Sequence, residues 1–103
     1  MKLKTVWRNF IEARGDMLVN RGDWPNRLPV LLEQLSALSG REAGIKEPKF
    51  LPLFKRSARL LLEEFTALPP DPDNRMRLRF FERSYRFIKI GKRLFSGPQN
   101  RLH

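Results

Sequence analysis

Residues 74–95 constrain the fold more than any other part of the chain, and they read NRMRLRFFERSYRFIKIGKRLF. On an α-helix, at about 100° per residue, several cations of this segment fall within one face roughly 120° wide. This basic stripe consists of Arg75, Arg79, Arg83, Arg86, Lys89 and Arg93. Apolar residues cover most of the remaining surface, so such a helix must bury one broad face and present charge on the other. We therefore predict a basic amphipathic helix over 74–95.

A β-hairpin is the alternative for the same segment. Residues 75–80 and 86–90 alternate polar and apolar side chains with the period of a strand, and they are rich in Phe and Ile. The sequence between them, Glu82-Arg83-Ser84, lacks the Gly or Asn that a tight hairpin turn usually needs. Arg and Met are also good helix formers. We favour the helix, and circular dichroism dominated by strand would indicate the hairpin.

Three earlier segments carry the apolar spacing of amphipathic helices, and they predict helices over 2–14, 28–39 and 50–68. Gly15 and Gly40 are placed to end the first two, with Pro29 expected in the first turn of the second. Pro69-Pro70 must end the third, and the Asp and Asn residues that follow are good caps for the next helix. The expected core consists of Trp7, Phe10, Leu31, Leu35, Phe54, Leu61, Phe65, Phe81 and Ile88.

The chain length of 103 residues predicts one domain. We expect a small all-α bundle of about four helices over residues 1–95, with the basic amphipathic helix at its C-terminal end. Residues 96–103 contain Gly97-Pro98 and a polar end, so they are predicted to be a flexible tail.

Composition argues against catalysis and metal binding. The chain has no cysteine, and its single histidine is the last residue, His103. A disulfide framework, a cysteine-based zinc site and histidine acid–base chemistry therefore lack their residues, and no Gly-rich phosphate loop is present. We predict that the protein is not an enzyme, and that it has no cofactor and no metal site.

No stretch approaches the roughly 20 consecutive apolar residues that span a bilayer, and charges interrupt the apolar positions of the N-terminus. We predict a cytoplasmic protein. A mitochondrial presequence is the rival interpretation of a basic amphipathic N-terminus, but Glu12 and Asp16 come early for one.

The positive charge of the chain is large and uneven. Lys and Arg number 21 against 11 Asp and Glu, a formal net charge of +10. Residues 71–103 hold more than half of this excess, and Arg outnumbers Lys there, which favours bidentate contact with phosphates or carboxylates. Cations packed along one stripe repel each other unless an anion screens them. A second basic patch is predicted at Lys55, Arg56 and Arg59, where the helix macrodipole disfavours cations.

These features support two functional hypotheses. The first is a non-catalytic nucleic-acid-binding protein, or a small subunit of a nucleoprotein complex, that contacts the phosphates of DNA or RNA with little base specificity. The basic stripe and the second patch are its candidate binding residues. The second hypothesis is a small adaptor or inhibitor that docks its basic face on an acidic protein. The sequence does not distinguish DNA, RNA and acidic protein, and it leaves the oligomeric state open.

Within the first hypothesis the aromatic residues leave three mechanisms open. If Tyr85 or Phe87 is exposed, the bases of a single strand could stack on it between phosphate-binding arginines. If the aromatics are all buried, the helix could lie along a duplex or structured RNA and touch only its backbone. Insertion into an anionic membrane surface is disfavoured, because other helices are available to cover the apolar side.

Overall fold

A computed structural model describes residues 3–42 and 44–97 of the chain. Within these ranges all regular elements are helices, and no strand is present. They are α1 Leu3–Leu18, α2 Trp24–Ser36, α3 Leu51–Thr66, α4 Asn74–Arg83 and α5 Tyr85–Ser96, with a single 3-10 turn at Pro48–Phe50 before α3. The predicted all-α bundle is confirmed, and the hairpin alternative for 75–90 is wrong.

The first helix is longer than predicted, because it continues through Gly15 to Leu18. Gly15 has open space around it, while Met17 is fully buried and extends the apolar stripe of α1 by another turn. Burial of Met17 outweighs the weak helix propensity of one glycine. The residue that follows the helix in a left-handed conformation is Asn20, with φ of 55°, which has the role we expected of Gly15.

The second helix begins earlier than predicted, at Trp24, with Asp23 at the N-cap position and Pro25 in the first turn. Pro25 has the position that we assigned to Pro29, which instead lies inside the helix. The early start is favoured by Trp24, which is buried and whose indole N–H donates to Asn20 Oδ1 at 3.1 Å. The helix also ends earlier than residue 39, at Ser36.

The predicted helix over 74–95 is two consecutive helices joined at Ser84. Asp73 caps the first of them, since its side chain accepts a hydrogen bond from the Met76 N–H at 2.9 Å. The Ser84 hydroxyl donates to the Phe81 carbonyl at 2.8 Å, and Arg14 of α1 donates to the same oxygen, also at 2.8 Å. In an uninterrupted helix that carbonyl would accept the N–H four residues later. Side chains occupy it here, and the helix is interrupted.

Gly97 follows α5 with φ of 76°. Ser96, which we assigned to the flexible tail, is the last residue of α5. The rest of the predicted tail, residues 98–103, lies outside the described residues.

The helices pack in a closed order: α1 lies against α2, α2 against α3, α3 against α5, and α4 against α1. Six of the predicted core residues are buried, and the other three, Trp7, Phe65 and Phe81, are partly buried against them. The centre of the core is aromatic. The Trp7 ring lies 5.2–5.8 Å, centroid to centroid, from four phenylalanine rings. These are Phe10, Phe54, Phe87 and Phe95.

The Trp7 ring lies directly against the backbone of α5 at Gly91. A Cβ added there would lie 2.3 Å from the nearest carbon of the indole ring. Gly91→Ala should therefore lower the free energy of unfolding by about 1–3 kcal/mol, the usual cost of overpacking a core. Gly15→Ala is the matched control, since that helical position is open, and it should raise stability by up to ~1 kcal/mol. Urea denaturation measures both, and two variants of equal stability would contradict the packing described here.

Candidate functional site

Every residue of the basic stripe is exposed, whereas Phe80 of α4 and most apolar residues of α5 are buried. The stripe therefore lies on the outer surface of the bundle, as the helical periodicity predicts. Its cations follow one another along α4 and α5, across the interruption at Ser84. At about 1.5 Å per residue, the distance along the helices from Arg75 to Arg93 is roughly 27 Å.

The surface between α3 and the C-terminal helices is a shallow groove of about 320 Å³. The α3 side of this basic groove includes Arg56, and the opposite side includes Arg83 and Arg86. Leu53 and Leu60 of α3 also line it, and both are exposed. Glu64 is the acidic residue of the lining. The structure thus brings one residue of the second patch together with two residues of the stripe.

The other two residues of the second patch lie differently. Lys55 is half-buried, and its position two residues after Leu53 places it about 160° around α3 from that residue, away from the basic groove. Arg59 is exposed and shares a second shallow surface with Lys55 and Arg56. Arg56 therefore connects the patch to the stripe, whereas Lys55 lies on the far flank of α3.

Carboxylates pair with two residues of the stripe. Arg83 lies 3.2 Å from a Glu64 oxygen and Arg93 lies 2.9 Å from a Glu47 oxygen, while their side chains stay 60% and 44% exposed. The Arg83–Glu64 pair is exposed on both sides and contributes about 0–1 kcal/mol, so another anion can compete for Arg83. The Glu47 side chain is only 12% exposed, so Arg93 is held more firmly. Arg75, Arg79, Arg86 and Lys89 take part in none of the ion pairs found among residues 3–42 and 44–97.

The aromatic residues of this region differ in how far their side chains are exposed. Tyr85 is 56% exposed, whereas Phe87 is 1% exposed and belongs to the core. A shallow pocket of about 490 Å³ next to the basic groove includes the Tyr85 ring. The lining of this Tyr85 pocket consists of Phe50, Leu53, Tyr85, Arg86, Lys89, Ile90 and Arg93. Cations stand close to its rings: Lys89 Nζ is 5.8 Å from the Tyr85 centroid, and the Arg93 guanidinium is 4.9 Å from that of Phe50.

Two arginines outside the predicted site point into the bundle and donate hydrogen bonds to backbone carbonyls. Arg77 is buried and donates to the Pro72 carbonyl at 2.7 Å and to the Asn74 side chain. Arg14 lies over the Phe81 ring at 3.6 Å, and burial lowers the pKa of its guanidinium, an effect that the Tyr85 hydroxyl opposes. Both arginines hold backbone turns at the two ends of α4.

The inward position of Arg77 could have been found from the sequence, because on a helical wheel it lies on the same side as Phe81 and Ser84. For Arg14 no local pattern distinguishes it from an exposed arginine. Its partners lie 67 and 70 positions away in the chain.

No group of three or more potential metal-ligating side chains occurs in the described part of the chain. None of the described helices is both long enough and apolar enough to cross a membrane. Comparison of the chain with protein-family models, with curated proteins and with solved structures found no match.

Arg14→Gln tests the contact that interrupts the C-terminal helices. The substitution removes the stacked guanidinium and the donors to the Phe81 carbonyl and the Ser84 hydroxyl. The free energy of unfolding should fall by about 1–3 kcal/mol, the cost of leaving a buried polar group with fewer partners. Arg8→Gln, on the exposed face of the same helix, should change stability by less than ~0.5 kcal/mol. Equal stability of the two variants in urea denaturation would show that Arg14 does not hold this turn.

Proposed function

We propose that the protein is a non-catalytic nucleic-acid-binding protein, acting alone or as a small subunit of a nucleoprotein assembly. It binds the phosphate backbone through the basic groove and the stripe that continues beyond it. One observation carries the proposal: Arg56 of α3 lines the same groove as Arg83 and Arg86. Cations from separate parts of the chain thus border one surface, which an extended polyanion can contact at several points at once.

The chemistry of these side chains suits phosphates. Arginine presents a planar fork of donors that remains charged at any physiological pH. Successive members of the stripe stand three or four positions apart over two helices, so they offer a row of donors along a line. Such contacts fix the position of a nucleic acid and carry no sequence information. Binding should therefore have little base specificity and a strong dependence on salt.

The positive charge of the stripe contributes little to the stability of the fold. Stripe side chains are exposed, and only two of them pair with carboxylates found in the described part of the chain. Mutual repulsion along the stripe costs stability until an anion screens it. A bound polyanion provides that screening.

Reversing Arg75, Arg79 and Arg86 to Glu tests the proposal without disturbing the ion pairs of Arg83 and Arg93. The wild type, with about six phosphates neutralised, should show a slope of log affinity against log salt near −5 on duplex DNA or about −4 on single strands. The triple variant should lose about two to three units of that slope, somewhat less than one for each phosphate contact. Fluorescence anisotropy over a salt series measures the slope, and thermal melting should confirm a folded variant.

The matched control reverses Lys4, Arg8 and Arg41, which are exposed and do not line the basic groove. It changes the net charge by the same amount and should keep most of the salt slope. If both triple variants lose affinity equally, the binding follows net charge and not this face. If the wild type binds no nucleic acid at low salt, and an acidic protein remains bound after nuclease treatment, the proposal is wrong and the acidic-partner alternative replaces it.

A further inference from the structure

We infer that the Tyr85 pocket holds a base of a single-stranded nucleic acid, so that single strands are the preferred ligand of the basic face. The inference rests on the proposed function and adds the class of nucleic acid and the residue that selects it. RNA and DNA strands share the chemistry involved, which is a flat base between phosphates.

The first step is the position of the Tyr85 ring. Phe80, Phe87 and Phe95 of the C-terminal helices are buried, whereas Tyr85 stays 56% exposed. Tyr85 is the first residue of α5 and directly follows Ser84, whose hydroxyl and neighbouring Phe81 carbonyl are held by Arg14. The backbone beneath the exposed ring is thus fixed by side-chain contacts. A tyrosine side chain has only two χ angles, so on a fixed backbone it loses little conformational entropy when a flat ligand stacks on it.

The second step is the chemistry around the ring. Phe50, Leu53 and Ile90 form the apolar part of the pocket, and cations surround it. These cations are Arg86, Lys89 and Arg93. Arg86 lines both the Tyr85 pocket and the basic groove, so the two surfaces are continuous. A nucleotide matches this arrangement, because its base can cover the ring while the phosphates on either side meet arginines.

The third step separates single strands from duplexes. A duplex contacts proteins mainly through its phosphates and through base edges in its grooves, while the base faces are stacked inside the helix. It could use the cations of the stripe but not the face of Tyr85. A single strand offers both phosphates and unstacked base faces. Of the two, only the single strand uses both the charge and the exposed ring.

The test compares the full chain with its Tyr85→Ala and Tyr85→Phe variants by fluorescence anisotropy. The probes are a labelled single-stranded RNA of mixed sequence, the DNA strand of the same sequence, and the DNA duplex. The wild type should bind both strands more tightly than the duplex at the same salt concentration. Tyr85→Ala should weaken single-strand binding roughly 5- to 150-fold, as expected for the loss of one stacked base. Tyr85→Phe keeps the ring and should retain the affinity.

Two internal controls identify the cause of the loss. Tyr85→Ala should leave the salt slope and the duplex affinity unchanged, because it removes no phosphate contact. Leu78→Ala truncates another exposed apolar side chain, at 46% exposure on α4, and should change no affinity because Leu78 does not line the pocket. Equal binding of RNA and DNA strands supports stacking alone, and tighter binding of RNA supports stacking together with a 2′-hydroxyl contact.

Several results would overturn the inference. If Tyr85→Ala binds both strands as well as the wild type, or if the duplex binds as tightly as the strands, Tyr85 is not a stacking platform. The proposed function still stands in that case, because phosphate binding through the stripe is measured separately. If no probe binds to the wild type, the proposed function fails and this inference fails with it. Loss of binding in Tyr85→Phe as well as Tyr85→Ala would assign the effect to the hydroxyl and contradict base stacking.

Discussion

The contact between the Trp7 ring and the backbone at Gly91 determines how the bundle is assembled. A side chain larger than hydrogen at position 91 would meet the indole, so the Trp7 ring of α1 can lie against the α5 backbone only at a glycine. Phenylalanine rings from α1, α3 and α5 then pack around the same indole, which ties the N-terminal helix to the third and the last. Because this contact fixes which side of α5 faces inward, it also fixes the side from which the basic stripe points outward.

The interruption at Ser84 is the second constraint, and it follows from what the two C-terminal helices pack against. The first of them, α4, lies against α1, while α5 lies against α3. The break at Ser84 thus falls between the part of the chain that contacts α1 and the part that contacts α3. Arg14 reaches from α1 to the break and donates to the Phe81 carbonyl and the Ser84 hydroxyl. The same break exposes Tyr85 at the start of α5, beside Arg86 of the basic groove.

The local patterns in the sequence were enough to predict most helices, the core residues and the exposed stripe, because each depends on apolar periodicity within one segment. These patterns gave wrong helix boundaries where contacts with residues distant in the sequence determine the structure. Gly15 is a residue type that often ends a helix, but α1 continues to Leu18 because Met17 is buried in the assembled core. At the break, the Ser84 hydroxyl is a local contributor, but Arg14 donates to the same Phe81 carbonyl from 67 positions away, and no window of sequence around residue 84 contains that contact. In the site, the exposure of Tyr85 and the burial of Phe87 follow from the same tertiary packing.

Net charge by itself says little about function here, because the arginines of this chain have two kinds of role. Arg14 and Arg77 point inward and donate to backbone carbonyls at the ends of α4, which is a contribution to the fold. Three of the ion pairs in the described residues join α1 to the turn before α2 or to α2 itself, so acidic side chains compensate the cations at that end of the bundle. On the stripe, four of the six cations take part in no ion pair among residues 3–42 and 44–97, and all six are exposed on one face. It is this distribution, together with an exposed aromatic ring at its centre, that distinguishes a surface suited to a polyanionic ligand from a protein that is merely basic.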